Sequence, residues 1–178
     1  MADILSVLSN YQNFHGIIIL LKPNNARLNL MFRFCIKELL THLHRDAARN
    51  MVFGFTNTRG SNYKPGDTFA PLKTELSFNK DVNIGLFENT VYCFDSESFR
   101  YLAAYHQGVD LGDRANYERW EKSAKESQRL LTNFQKLKPH RVKSTVSLNQ
   151  TRHLITELTK PMAEIMRAMT AIIKVNKE

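Results

Sequence analysis

The chain has 178 residues, enough for one ordinary domain or for a small domain with an appendage. Its 43% hydrophobic and 24% charged residues are normal for a globular protein, and no internal repeat or low-complexity tract is present. The net charge of +8 favours acidic partners such as nucleotides, RNA, acidic proteins or an anionic membrane. The apolar run at residues 16–21 is far too short to span a bilayer, so no transmembrane segment is expected.

The N-terminal residues and the two cysteines favour a cytoplasmic protein. Residues 1–14 have neither a basic start nor a long apolar core, so we expect no signal peptide. Cys35 and Cys93 lie in apolar segments and match no metal-ligand spacing. We expect both to be buried, reduced thiols, as in a cytosolic protein.

The first third of the chain predicts two helices and a strand. Residues 3–10 could form a short helix. The run HGIIILLKPNN has three isoleucines and two leucines without polar alternation, which predicts a central strand covered on both faces. A second helix is predicted over residues 26–45, with these residues on one face: Leu28, Phe32, Cys35, Ile36, Leu39 and Leu43.

Two further apolar runs predict two further strands. Residues 51–56 lead into Thr-Asn-Thr-Arg at residues 56–59, and residues 90–94 are followed by Asp-Ser-Glu-Ser at residues 95–98. Short helices are predicted near residues 71–76 and over residues 99–105. This alternation predicts an α/β fold with a three-stranded parallel sheet and right-handed crossovers. Because ligands bind beyond the carboxyl ends of such strands, residues 56–68 are the best candidate site.

After residue 108 the pattern becomes helical. One helix is predicted over residues 115–137, and Pro139 breaks it. Apolar residues then recur at alternating steps of three and four and form a heptad seam: Leu148, Thr151, Ile155, Leu158, Met162, Ile165, Met169 and Ile172. We expect a sheet domain over residues 1–108 and an antiparallel helical hairpin over residues 109–178, which could self-associate as a coiled coil through this seam.

The order of these segments resembles a known family. HGIIILLKPN, the helix containing ELLTHLH, and NMVFGFTNTRGSNYKPGDT are similar to the second half of a P-loop GTPase domain, in the branch of GIMAP-like and septin-like proteins. The similarity covers roughly residues 1–107, and the helices after it resemble the helical extension of such proteins. It implies a partial P-loop NTPase-like sheet with a guanine nucleotide as ligand.

The resemblance implies base contacts after the second strand, in what we call the first loop (residues 56–59). In the family, [N/T]-K-x-D stands here: its first residue braces the loop, its lysine covers the base, and its carboxylate accepts from guanine. Thr56 takes the first position, Asn57 the lysine's and Arg59 the aspartate's. Because arginine only donates hydrogen bonds, Asp67 would have to supply the carboxylate, or guanine preference is lost. A turn capped by Asn57, with Asp67 as a plain turn residue, is the structural alternative.

The resemblance also implies base contacts after the third strand, in what we call the second loop (residues 95–98). The family usually has a Ser-Ala-Lys-like sequence there, whereas this chain has Asp-Ser-Glu-Ser. Asp95 and Ser96 are the implied base contacts. As an alternative, Asp95, Ser96 or Ser98 would cap the helix that follows.

The sequence lacks the groups that bind and hydrolyse a nucleoside triphosphate. Neither G-x-x-x-x-G-K-[ST] nor Asp-x-x-Gly occurs. In proteins that do so, backbone amides and a lysine bind the phosphates, and a hydroxyl binds the magnesium ion. We therefore expect a truncated or degenerate G domain that does not hydrolyse GTP alone and that holds no cofactor alone, with GTP and Mg²⁺ bound only in a complete domain. No catalytic or metal-ligand residue is predicted.

A basic segment follows the sheet region. Residues 127–156 contain no acidic residue. The bend between the two predicted helices should therefore carry a basic patch, which consists of Arg129, Lys136, Lys138, Arg141 and Lys143. RNA, or another nucleic acid, or an anionic membrane could bind there, but a solvated basic surface is the favoured interpretation because hardly any aromatic side chains interleave with the basic residues.

Two hypotheses of function follow. The first is a GTPase-like nucleotide-binding fragment without its phosphate-binding half. The second is a non-enzymatic interaction module that assembles through its C-terminal helices.

Overall fold

The computed structural model describes residues 2–25, 30–78, 84–109 and 114–175. The helices are α1 (Ala2–Ser9), α2 (Leu30–His42), α3 (Phe69–Ser77), α4 (Glu97–His106), α5 (Arg114–Lys136) and α6 (Val142–Val175). The strands are β1 (Asn13–Phe14), β2 (Ile17–Leu21), β3 (Met51–Phe55), β4 (Val91–Cys93) and β5 (His140–Arg141). Short 3-10 helices cover Arg45–Asn50, Thr58–Ser61 and Gly66–Thr68.

Contacts along the chain define two units. The sheet unit is Asn13–His140, which includes α5. The helical unit is Met1–Gln12 together with Arg141–Glu178, and it contains α1 and α6.

The sheet unit contains the predicted three-stranded parallel sheet. The strand order is β2-β3-β4, and both pairs are parallel. Ile17 of β2 lies opposite Met51 of β3, and Phe53 of β3 lies opposite Val91 of β4. The coarse prediction of an α/β fold is therefore confirmed, and the carboxyl ends of the three strands share one edge.

The central strand β3 is buried along its whole length. Alternate residues of a strand point to opposite faces, so Phe53 and Phe55 enter one core and Val52 the other. On the first face they pack with Leu72 of α3. On the second face Val52 packs with Leu130 of α5. Helices on both faces account for the unbroken apolar sequence of this strand.

The strand β2 differs from its prediction. It lies at the edge of the described sheet, and the side chains of Ile18 and Leu20 are 39% and 65% exposed. The prediction of a central strand covered on both faces is therefore wrong for the described part of the chain. An unbroken apolar run reports apolar surface, but it does not report the place of the strand in the sheet.

Most of the apolar face predicted for the helix α2 is buried or half-buried, as expected. Ile36 and Leu43 are buried, while Leu28 lies outside the described residues. Cys35 is exposed, so the prediction that both thiols are buried is wrong for this residue, although Cys93 is buried. Cys35 precedes Ile36 by one position, which turns it about 100° away from that side chain on a helix.

In the helical unit, α1 contacts α6. Val142 and Thr145, in the first turns of α6, are buried. Further along, every residue from 150 to 170 is exposed except Ala163, which is half-buried. Within the described ranges, no helix combines the length and apolarity that crossing a membrane requires.

Candidate functional site

Hydrogen bonds join the first loop to the residues that follow β4. The hydroxyl of Thr58 donates to the carbonyl oxygen of Phe94 at 2.9 Å, and its backbone N–H donates to the same oxygen at 3.2 Å. The backbone N–H of Arg59 donates to Oδ2 of Asp95 at 2.9 Å. Thr58 and Asp95 are buried and the bonds themselves are part-buried, so competing water is partly excluded from them. The first and second loops are thus tied together at the carboxyl edge of the sheet.

Asp95 is also held by the helix α5. Its backbone N–H donates to the hydroxyl of Ser123 at 3.1 Å, and that hydroxyl donates to the Asp95 carbonyl oxygen at the same distance. Both residues are buried. The carboxylate and the backbone of Asp95 therefore fix the position of the loops, and the residue lies too deep to be an open base acceptor. Ser123 was not predicted, because no sequence motif marks a single serine in a helix.

Thr56 and Asn57 begin the first loop. The Thr56 backbone N–H and hydroxyl both donate to the carbonyl oxygen of Leu21, at 2.8 and 3.3 Å, which braces the loop against β2. Asn57 has left-handed backbone angles, φ 59° and ψ 40°, and its side chain is exposed. Asparagine tolerates this conformation better than most residues. Its side chain makes no cap hydrogen bond, so the interpretation of Asn57 as a local cap is wrong.

Asp67 lies apart from the second loop. It is exposed in a 3-10 turn, and its neighbour Thr68 donates to the carbonyl oxygen of Lys22 at 2.8 Å and accepts from the N–H of Asn25 at 2.8 Å. Gly66 in the same turn has φ +60°, a conformation that side chains rarely adopt. The turn is thus anchored beyond β2, and Asp95 follows β4. The two anchor points are two strand spacings apart, or about 10 Å.

Ser96 is exposed at the N-terminal cap position of α4. Its side chain makes no cap hydrogen bond, so the interpretation of Ser96 as a cap is wrong. The side chain of Ser98 lies outside the described part of the chain. Of the predicted second-loop residues, Asp95 is a buried anchor and Ser96 is an exposed neighbour of the first loop.

Arg129 of α5 secures the strand β4 and the segment before it. Its Nη2 donates to the Val91 carbonyl oxygen at 2.7 Å, and Nη1 donates to the carbonyl oxygen of Glu88. Its guanidinium pairs with Glu126 at 2.7 Å and lies 4.1 Å from the centre of the Tyr92 ring. The hydrogen bonds that Arg129 donates to the Glu126 carboxylate are the main reason that the pKa of Arg129 is raised. Arg129 therefore makes internal contacts within the predicted basic patch.

The other predicted basic residues are exposed and divide between the two units. Lys136 and Lys138 belong to the sheet unit, while Arg141 and Lys143 belong to the helical unit. The backbone carbonyl of Lys138 accepts a hydrogen bond from Nδ2 of Asn50 at 3.0 Å, so its main chain is anchored to the sheet unit. Binding of nucleic acid or an anionic membrane to these residues stays a prediction.

A cavity of about 560 Å³ lies beside Arg129. Apolar side chains such as Phe69 and Leu86 line it, as do charged ones such as Lys122, and no residue of either loop takes part. Cys93 also lines it, and burial, followed by the charge of Glu126, raises the pKa of this thiol to about 11. The thiol is therefore mostly protonated at neutral pH, which makes it a poor nucleophile.

Neither a metal site nor a comparison with known proteins indicates a function. Among the described residues, no group of three or more His, Cys, Asp or Glu side chains could hold a metal ion. No protein-family model, curated protein or solved structure matches the chain. Function is therefore inferred from the geometry of the two loops.

Proposed function

We propose that the sheet unit is the base-binding half of a GTPase-like nucleotide-binding domain, with a purine base contacting the first and second loops. The observation that supports this most is the pair of hydrogen-bonded connections from Thr58 to Phe94 and from Arg59 to Asp95. They bring together the loops that follow two neighbouring parallel strands. Ligands of open α/β sheets bind at this edge.

The residues divide into positioning and contact roles. Thr56, Thr58 and Asp95 hold the loops, since their polar groups are engaged with backbone groups. Asn57 presents an exposed amide, which has both donors and an acceptor. Arg59 is exposed beside it and offers only donors, so it cannot replace the carboxylate that reads the N–H groups of guanine in the family. Its donors suit the other edge of guanine, where O6 and N7 both accept, whereas adenine has a donor in place of O6. We therefore expect guanine to bind more tightly than adenine through this edge.

The proposal concerns binding of the base and assigns no hydrolysis. The sequence has no phosphate-binding motif, and the described residues offer no acidic cluster for Mg²⁺. Base contacts without phosphate contacts give few hydrogen bonds, so we expect a dissociation constant of about 1 mM, equivalent to about −4 kcal/mol. Phosphates and magnesium would have to be held by other groups.

A nucleoside titration tests the proposal. Saturation-transfer NMR with guanosine and adenosine isolates the base from the phosphates. We expect saturable binding of guanosine, tighter than that of adenosine, and at least a five-fold loss of affinity in Asn57→Ala. Asn62→Ala is the matched control, because Asn62 is also exposed and left-handed and lies at the other end of the same 3-10 helix. Absence of saturable binding, or equal losses in the two variants, would contradict the proposal.

A further inference from the structure

The second half of α6 carries a long exposed apolar stripe. Its large side chains are between 56% and 67% exposed: Leu154, Ile155, Leu158, Met162, Ile165, Met166, Met169 and Ile172. Scattered exposed apolar residues are ordinary, but a contiguous row of this size marks an interaction surface. This stripe includes the predicted seam from Ile155 to Ile172, whereas Leu148 at the start of the seam is half-buried.

A helix of this kind needs a partner. Isolated helices are marginal in water, and most of their stability in proteins comes from packing of an apolar face. Pro161 lies within α6, where it removes one backbone hydrogen bond. The described residues from 150 to 170 contribute no buried side chain that would offset this loss.

The stripe is wider than the seam of a two-stranded coiled coil. Such a seam uses only the a and d positions, here Ile155, Leu158 and their repeats. Leu154 lies at the flanking g position and Met166 at the flanking e position, and both are exposed. In a pair of helices these two side chains would stay in contact with water. Packing against two or more neighbours would bury them.

We propose that α6 associates through this stripe with at least two further copies of the chain. A second copy suits the face because the face carries no charge: the charged residues Glu157, Lys160, Glu164 and Arg167 lie at the c and f positions, away from the seam. In two of the three heptads an unbranched methionine at a precedes isoleucine at d (Ile165 and Ile172), which is close to the pattern that favours three or four helices over two. The first heptad, with Ile155 at a and Leu158 at d, has the pattern that favours pairs.

The available area is sufficient for association between copies. Eight side chains of this type, each about 60% exposed, supply on the order of 100 Å² apiece, or about 900 Å² on each helix. Because even a pair could bury more than the 1,200 Å² or so of a stable specific interface, the width of the stripe, and not its area, sets the number of copies. The association does not depend on the proposed base site, which belongs to the sheet unit.

Sedimentation equilibrium of the full chain tests the stoichiometry. One chain has a mass of 20.6 kDa, and we expect a mass at least three times larger at high micromolar concentration, with helical circular dichroism that falls on dilution as the copies separate. A monomer or a dimer across the whole concentration range overturns the proposal. If the chain is a monomer, the stripe must bind a different protein.

Two variants locate the interface. Ile165→Asp places a charge in the stripe, and Arg167→Asp introduces the same side chain two residues away at an f position. We expect Ile165→Asp to sediment as a monomer and Arg167→Asp to keep the mass of the assembly. Retention of the assembly in Ile165→Asp, or equal loss in both variants, overturns the proposal. Thermal unfolding that stays cooperative in Ile165→Asp shows that the sheet unit is still folded.

Discussion

Oδ2 of Asp95 accepts a hydrogen bond of 2.9 Å from the backbone N–H of Arg59. The two residues follow neighbouring parallel strands and lie 36 positions apart in the chain. A buried carboxylate bound to a backbone N–H in this way fixes one loop against the other, because its hydrogen bond is stronger than that of a neutral acceptor. The edge of the sheet is therefore prepared before any ligand arrives.

Replacing Asp95 should destabilise the sheet unit. Asp95→Ala leaves the part-buried N–H of Arg59 without this acceptor, and the loss of a hydrogen bond to a charged group costs about 2 kcal/mol. Urea unfolding measures the change. Asp67→Ala removes an exposed aspartate from the 3-10 turn Gly66–Thr68 and should change the free energy of unfolding by less than about 0.5 kcal/mol. Equal effects of the two substitutions would refute the anchoring role of Asp95.

Arg129→Lys should lower the stability of the sheet unit although it keeps the positive charge. A lysine keeps the charge but cannot reproduce the forked contacts with Val91 and Glu126 or lie flat on the ring of Tyr92. We expect a loss of about 2 kcal/mol in the free energy of unfolding. The exposed Lys136→Ala variant serves as the control and should stay within about 0.5 kcal/mol of the parent protein. If Arg129→Lys leaves the free energy of unfolding unchanged, these contacts do not hold β4 in place.

The two cysteines should differ sharply in alkylation. Cys93 is buried with a pKa of about 11, so at pH 8 only about one thiol in a thousand is ionised. Cys35 is exposed. Mass spectrometry of the folded protein after brief iodoacetamide treatment should show one label, which disappears in Cys35→Ser and persists in Cys93→Ser. Two labels on the folded protein would contradict the burial of Cys93.

His140 should make stability depend on pH. Burial, and secondly the charge of His44, lower the pKa of His140 from the usual 6.5, while Asp46 acts in the opposite direction. The unfolded chain therefore binds a proton at a higher pH than the folded chain does. Stability is retained above about pH 6.5 and falls as the pH drops from there through the lowered pKa of the folded state.

Melting temperatures from pH 7.5 to pH 5 measure this dependence. His140→Phe preserves the packing of a ring near Phe14, whose centre is 5.0 Å away, and should reduce the fall in melting temperature on acidification. His106→Phe changes an exposed histidine and should leave the fall unchanged. If the melting temperatures of both variants fall on acidification as much as that of the parent protein, the titration of His140 does not cause the pH dependence.

The sheet followed from local sequence, whereas the details of its edge did not. The run MVFGF predicted the buried central strand β3 because apolar content and strand length are local properties. The exposure of Leu20 depends on what packs over that face of β2, and no periodicity within β2 encodes that. The same limit applies to Cys35, which lies among apolar residues but beside the stripe that is buried.

The sequence predicted the location of the candidate site but not the contacts within it. Strand ends located the two loops, since parallel strands finish at one edge. The role of Asp95 as a buried anchor depends on Arg59 and on Ser123 of α5, and these contacts join residues 28 and 36 positions apart. Pairings over such distances are set by the packing of helix against sheet, which the spacing of residues in the chain does not record.

Chemical-shift mapping by NMR locates guanosine on the protein and is the decisive test of a base site at the two loops. Backbone amide shifts of the isotope-labelled chain are recorded as guanosine is added. We expect saturable shifts concentrated at Asn57, Thr58, Arg59 and Ser96, which lie in the two joined loops. Shifts confined to the cavity beside Arg129, or no saturable shift at millimolar guanosine, would contradict this expectation.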